Sequence, residues 1–391
     1  MSNKDKSAPK GINTRLAHIG HDPRSYHGFV NPPVVRASTV LFPNFETMKE
    51  GGQPYVYGTH GTPTTDALTS ALTELEGAAG TVLTSSGLSA ISVPVLCFAK
   101  AGMHMLVVDS LYSPNRRFCD TVLKRLGIEV EYFDPNIGNG LAKLMRPNTG
   151  ILMLEAPASN SFEMCDVPLL ANIAHEKNPD CVVMMDNTWA TPLYFKPLDF
   201  GVDISIHALT KYPSGHSDVL MGGVSANERT WEQLHDSYEA MGMCVSGDDA
   251  YLILRGMRTM GIRMERQEQT TMKLCKWLQG HDQVSRVLYP ALPEDPGYEL
   301  WKRDYGGASG LFSFVIKDRT RDECGAFLNA LEIHGLGFSW AGYESLAVLP
   351  QFQDRVIAHG PDDGAAVRIQ VGLEDVDDLM ADIELGLAAV K

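Results

Sequence analysis

The chain has 391 residues, 44% hydrophobic and 21% charged, with a formal net charge of −15 at pH 7. This length asks for more than one core, and the composition is that of a folded globular protein rather than a disordered one. The acidic balance argues against nucleic acid or an anionic membrane as a partner, while leaving room for a local basic pocket around an anionic ligand.

The N-terminal stretch MSNKDKSAPKGINTRLAHIG lacks the apolar core of a signal peptide. No apolar run reaches the length of a membrane span; the longest, ISVPVLCFA, is short and holds Pro94. The cysteines, at 97, 119, 165, 181, 244, 275 and 324, are scattered and never form C-x-x-C. Cys97, Cys181 and Cys275 sit among apolar neighbours and read as buried free thiols, which suits a reducing cytoplasm. Residues 1–60 are rich in Gly, Pro and His and show little periodicity. They read as an extended arm that wraps a partner subunit. Within it, His18-Ile19-Gly20-His21 spells a nucleotide-binding signature but lacks the strand–helix setting and the partner lysine motif it needs.

From residue 64 the texture changes. TTDALTSALTELEGA places Leu68, Leu72 and Leu75 at helical spacing, with Gly77 as a stop. Short apolar strands then alternate with amphipathic helices. MLVVD, VEYF, GILMLEAP, CVVMMDNT and DISIHALTK read as strands. PNRRFCDTVLKRLG, LAKLMRP and VPLLANIAHEKN read as helical. The alternation predicts an α/β fold, with a mostly parallel sheet and helices on both faces. Long helices follow over roughly 228–282, and GLFSFVIKD opens a second, smaller strand-and-helix region. The division expected is an arm at 1–60, a ligand-binding domain at 61–258 and a C-terminal domain at 259–391, with the boundary near 256–262. Met241, Met243, Met257, Met260 and Met264 read as core or pocket filler. GLEDVDDLMADIE reads as a capped, solvated helix, and His and Cys show no metal spacing.

In open parallel sheets, ligands sit outside the carboxyl ends of the strands. Three strand ends carry chemistry. CVVMMD ends on Asp186, a buried carboxylate that reads equally as a salt-bridge or cap residue and as the partner of a protonated ring nitrogen. ISIHAL ends at Thr210 and Lys211 in TKYPSGHSD. Such a lysine is usually one that reaches water, but here a tight Tyr-Pro-Ser-Gly-His loop follows it, and a lysine drawn from water suits Schiff-base chemistry. LTSSGLSA ends a strand at Thr84 and turns through Ser85, Ser86 and Gly87 into a helix. That is an ordinary cap, or a phosphate cradle. An imine lysine, a carboxylate for a pyridinium and a phosphate cradle are together what pyridoxal 5'-phosphate requires.

Over nearly its whole length the chain resembles the Cys/Met-metabolism group of fold-type I pyridoxal-phosphate enzymes. The resemblance runs through YGTHGTPTTDAL, DSLYSPN, DNTWATP, RGMRTMG and QVGLEDVDDL, and most specifically through TKYPSGHSD and SWAGYESL. It implies that Lys211 carries the cofactor and moves protons, that Asp186 pairs with the ring nitrogen and that Tyr112 stacks on the ring. Ser86, the N–H groups of Gly87 and Leu88, and the Thr210 hydroxyl would hold the phosphate, with Tyr57 reaching it from a neighbouring subunit. Ser339, Trp340 and Arg368 would bind the substrate, Arg368 by its carboxylate, with Tyr57 beside them. Thr59, followed by His60, stands where the family usually has a phosphate-binding arginine, so a fixed cation is missing there. Phe338 replaces a usual tyrosine. The implied reaction is α,β-elimination of cystathionine and related cysteine S-conjugates to a thiol, pyruvate and ammonia. Trp340 favours this over a γ-lyase or γ-synthase of the same family. A racemase side activity on alanine and a non-catalytic cofactor-binding regulator are further readings. The implied assembly is a homotetramer, a dimer of dimers.

Overall fold

The apolar strands between residues 80 and 226 assemble into one seven-stranded sheet in the computed structural model of the chain, which describes residues 10–391. Its strands are β1 (Gly80–Thr84), β2 (His104–Val108), β3 (Glu129–Phe133), β4 (Thr149–Glu155), β5 (Val182–Asp186), β6 (Ile204–His207) and β7 (Gly222–Ala226). The order is β1-β7-β6-β5-β4-β2-β3. β3, β2, β4, β5 and β6 are parallel, whereas β7 runs against both β6 and β1. Apart from the edge strand β3, the strands are buried almost end to end, which is why they read as continuous apolar runs rather than alternating ones. Helices including Pro63–Glu76, Gly87–Phe98 and Val167–Lys177 flank the sheet. Of the arm read at 1–60, residues 1–9 lie outside the described residues. The rest holds two short helices, Ile12–His18 and Phe45–Glu50, and leaves Phe29, Val30, Leu41, Phe45 and Met48 exposed.

The long helix Met260–Gln279 leads into a second sheet. Its strands are β8 (Val284–Leu288), β9 (Leu311–Lys317), β10 (Gly335–Leu336), β11 (Leu346–Val348) and β12 (Gly364–Gln370), in the order β10-β11-β12-β9-β8. All pairs are antiparallel except β10–β11. Met257, Met260 and Met264 are buried, as core filler should be, whereas Met241 is exposed and Met243 half-buried. Two expectations change. The acidic C-terminal helix, Val376–Ala389, has no side-chain cap at Asp375, and Asp382 is buried rather than solvated. Asp382 accepts the N–H groups of Glu332 and His334 and the His334 ring at 2.7 Å, so it anchors the loop before β10. Cys97 is half-buried, while Cys181 and Cys275 are buried as expected.

The segment between β11 and β12 folds back onto the large sheet. Asp109, just past β2, is fully buried and pairs with Arg116. It also accepts the N–H groups of Val356, Ile357 and Ala358 at 3.1, 2.6 and 2.7 Å. Arg355 donates to Ser161 Oγ at 2.6 Å and Glu163 Oε1 at 2.9 Å. These bonds tie the small sheet's longest loop to the large one. Burial alone would raise the pKa of Asp109; the N–H groups of Ala358 and Ile357 and the Arg116 guanidinium outweigh it and hold the carboxyl below its ordinary range. Its contribution is therefore present above the unfolded value of about 3.9 and lost as pH falls through the lower folded value. Asp109→Ala strands a buried arginine, so we expect a loss of about 3–5 kcal/mol at pH 7. Urea unfolding should show the gap to wild type narrowing as the pH is lowered into the carboxylate range.

Candidate active site

A cavity of about 580 Å³ opens at the carboxyl ends of β4, β5 and β6, beside the turn that follows β1, and residues of the small sheet close it. Lys211 stands in a tight turn just past β6. Its N–H bonds Ala208 O at 3.0 Å, and its own carbonyl accepts Gly215 N–H at 2.8 Å. Two glycines let the helices behind press onto this turn. Gly215 has φ +70, and a Cβ there would meet Arg263 Nη1 at 2.0 Å; one at Gly256 would meet Ser214 O at 2.2 Å. Arg263 in turn donates to Tyr212 O at 2.7 Å and Gly256 O at 2.9 Å. The Lys211 backbone is thus locked from below, which explains the glycine in TKYPSGHSD.

The Lys211 ammonium donates to Ser339 Oγ at 2.5 Å and lies 5.3 Å from the centre of the Trp340 ring. Burial lowers its pKa to about 8; the Arg368 charge works in the same direction and Asp186 opposes it. Ser339 reaches it from a left-handed backbone, φ +87, unusual for a residue with a side chain. Trp340 is buried and meets Tyr212 edge-on at 5.7 Å. Arg368, on β12, donates to Asn160 Oδ1 at 2.9 Å and to the carbonyls of Ser159 and Ser339 at 3.3 and 3.5 Å.

Asp186 ends β5. Thr188 donates to its Oδ1 twice, from N–H at 2.9 Å and from the hydroxyl at 2.6 Å, which leaves Oδ2 to the cavity. Burial raises its pKa, against the Thr188 bonds and the Lys211 charge. In register with it on β4 stands Glu155, a cavity residue that the sequence reading passed over. Glu155 accepts Tyr112 N–H at 2.7 Å and Ser159 N–H at 2.9 Å. Burial, then the neighbouring Asp186 charge, pushes its carboxyl well above the usual carboxylate range. The signal was available: GILMLE ends on a carboxylate just as CVVMMD does. Tyr112 lines the cavity beside them.

At the turn after β1, Ser86 caps the helix Gly87–Phe98 by accepting Ser89 N–H at 3.1 Å. Neither Gly87 N–H nor Leu88 N–H has an acceptor among the described residues. A Cβ at Gly87 would meet Ala208 Cβ at 2.6 Å, so only glycine lets this turn approach β6. Thr210 lines the cavity, but its hydroxyl donates to Met221 O at 3.2 Å and accepts Met221 N–H at 3.0 Å. Tyr57 and Thr59 are not brought into their own chain's cavity; Tyr57 is 48% exposed and bridges Thr39.

Asp186, Lys211 and Arg368 thus face one cavity, and none forms an ion pair with a protein group among the described residues. The cavity offers open N–H donors at Gly87 and Leu88, two cations, and the Asp186 carboxylate with Glu155 beside it. This donor set fits pyridoxal phosphate together with an amino-acid carboxylate. A family model described as Cys/Met metabolism PLP-dependent enzyme matches residues 13–388. The chain belongs to that family. It is 58% identical to a putative cystathionine beta-lyase of Rhizobium johnstonii, covering 100% of both chains. It is 40% identical to the cystathionine beta-lyase MetC of Escherichia coli, covering 98% of this chain and 100% of that one. The crystal structure of metB from Corynebacterium glutamicum superposes with a TM-score of 0.91 at 30% identity, covering 98% and 99% of the two chains.

The Lys211 environment has a direct consequence. In the cofactor-free protein the fraction of neutral amine rises as pH climbs through about 8, against about 10.4 for an ordinary lysine. Acylation by a small amine-directed reagent, mapped by mass spectrometry, should therefore reach Lys211 ahead of exposed lysines near pH 8. Labelling of Lys211 only at the pH of the exposed lysines would contradict this.

Proposed function

We propose that this pyridoxal-phosphate enzyme is a cystathionine β-lyase, which eliminates the thiol from cystathionine and related cysteine S-conjugates. The observation that carries the reading is that the buried carboxylate of Asp186, without a cationic partner among the described residues, shares one cavity with Lys211 and Arg368. Pyridoxal phosphate, when bound, supplies an electrophilic carbon for the substrate amine and a ring that takes up electron density from Cα. Gly87, Leu88 and Ser86 would hold its phosphate at the helix start. Tyr112 would cover the ring face, and Asp186 Oδ2 would hold the ring nitrogen in its protonated form. Arg368 grips the substrate α-carboxylate through its planar fork and fixes which bond at Cα breaks. Lys211, whose pKa burial brings down to about 8, takes the Cα proton as the neutral amine, and Ser339 steers it. Loss of the β-thiolate and hydrolysis give pyruvate and ammonia.

Several further assignments rest on this reading. Residues 1–60 act as the arm, 61–258 bind the cofactor and 259–391 form the C-terminal domain. The arm's exposed Phe29, Val30, Leu41, Phe45 and Met48 suit burial against a second copy. Tyr57 and Thr59 then complete a neighbour's site in a homotetramer. No described helix is long and apolar enough to cross a membrane, and we place the enzyme in the cytoplasm.

Product analysis tests the reading: pyruvate with homocysteine supports it, and 2-oxobutyrate with cysteine would mark a γ-lyase instead. Lys211→Ala should lose the borohydride-trapped cofactor adduct and about 10²–10⁴-fold in turnover. Asp186→Asn should retain cofactor while losing most of the elimination rate, since a neutral amide cannot hold the ring nitrogen protonated. Near-normal turnover in Asp186→Asn would make that carboxylate merely structural.

A further inference from the structure

The cavity wall carries three cationic side chains: Lys211, Arg368 and Arg321. The first two are taken up by the reacting end of the substrate. Arg321 has no role in that chemistry. It precedes the helix Gly325–Ala330, and both Nε and Nη2 lie 3.3 Å from Leu349 O. Its Nη1 makes no hydrogen bond, and no carboxylate among the described residues pairs with it. A backbone carbonyl therefore orients the fork without neutralising it.

Its place in the fold is defined. Leu349 follows Val348, and Val348 is the register partner of Arg368 on the next strand. The two guanidiniums thus stand on one wall. Arg368 is tied through Ser339 to Lys211, whereas Arg321 has no bond to Ser339, Lys211 or Asp186. Leu349, which holds the Arg321 fork, and Pro350, Phe338 and Leu220 give the same cavity an apolar portion of wall. Two guanidiniums on one wall of a cavity that is also partly apolar match a thioether that bears an amino-acid head at each end. We propose that Arg321 binds the distal carboxylate of the substrate and so sets a preference for thioethers with a second carboxylate. The assignment rests on the elimination reading and deepens it.

The test compares cystathionine with S-methylcysteine, a cysteine thioether without a distal carboxylate, using cofactor-loaded wild type, Arg321→Gln and Arg321→Lys. In Arg321→Gln the ratio of kcat/KM for cystathionine to that for S-methylcysteine should fall about tenfold, the scale of one charge-assisted bond. The loss should appear in KM for cystathionine, with Arg321→Lys recovering part of it. Equal effects on both substrates would overturn the assignment, as would no effect on either. Cofactor loss on dialysis, followed by absorbance, checks a different role: weaker retention in Arg321→Gln would mean the arginine serves the phosphate, and would also overturn it. Pyruvate from both substrates without a selective effect sinks this assignment alone. No pyruvate from wild type with either substrate sinks the elimination reading and this one with it.

Discussion

A carboxylate taken out of water costs several kcal/mol unless a cation or several donors meet it. Asp186 is such a group, and the site is arranged around it. Its Oδ1 is satisfied by Thr188, and its Oδ2 is left to the cavity. Glu155, in register on the next strand, makes the demand sharper, because two neighbouring carboxylates resist ionising together. The pair is unequal. Glu155 has two backbone N–H partners on the cavity rim, while Asp186 turns an open oxygen to the ligand. A protonated ring nitrogen set against Asp186 would settle the charge on that residue and leave the proton on Glu155. Glu155 then holds Tyr112 and the Ser159 turn in place from behind.

The second constraint is that the reacting groups come from two sheets. Lys211 and Asp186 belong to the large one, Ser339 and Arg368 to the small one. Their relative position depends on the bonds that bind the sheets. Asp109 and Arg355 hold the 350–363 segment, and that segment puts Pro350 and Gln351 in the cavity wall. Arg263 reaches the Lys211 turn from the helix that joins the sheets. Ser339 and Ala341 both take left-handed backbones around Trp340, at φ +87 and +70, so the chain bends sharply where it meets the lysine. Such conformations persist when the surroundings over-determine them.

Much of this was legible in the sequence, because a parallel sheet writes its buried strands as apolar runs and its ligand site at their ends. Asp186, Lys211 and Gly87 were found by that rule. Glu155 obeys the same rule but was masked by the proline and alanines after it, which made GILMLEAP look like plain strand. The antiparallel course of β7 was not legible, since strand direction leaves no trace in a short run such as GGVSA. Asp382 was misread for a related reason: a carboxylate in an acidic helix looks solvated until the loop that needs its two oxygens is seen beside it. The Asp109 clamp joins residues some 250 positions apart, and no local pattern announces it.

Thr59 leaves the phosphate without a fixed cation. With arginine missing from that position, the phosphate must be met by what the cavity offers. The Thr210 hydroxyl already gives its proton to Met221 O, while Ser86 Oγ accepts Ser89 N–H and keeps its own proton to donate. What stays open in one chain is the pair of N–H groups at Gly87 and Leu88 and the neutral Ser86 hydroxyl, at a helix start that carries about half a positive charge. Half a charge does not balance a phosphate dianion. With Lys211 and Arg368 committed to the reacting end of the substrate, the rest is left for a second chain to supply. Tyr57, Thr59 and His60 all lie outside their own chain's cavity, on an arm whose apolar side chains lack cover. On the proposed dimer, one arrangement would cover those side chains and bring a hydroxyl and an imidazole to the phosphate. Cofactor retention and assembly would then be a single equilibrium.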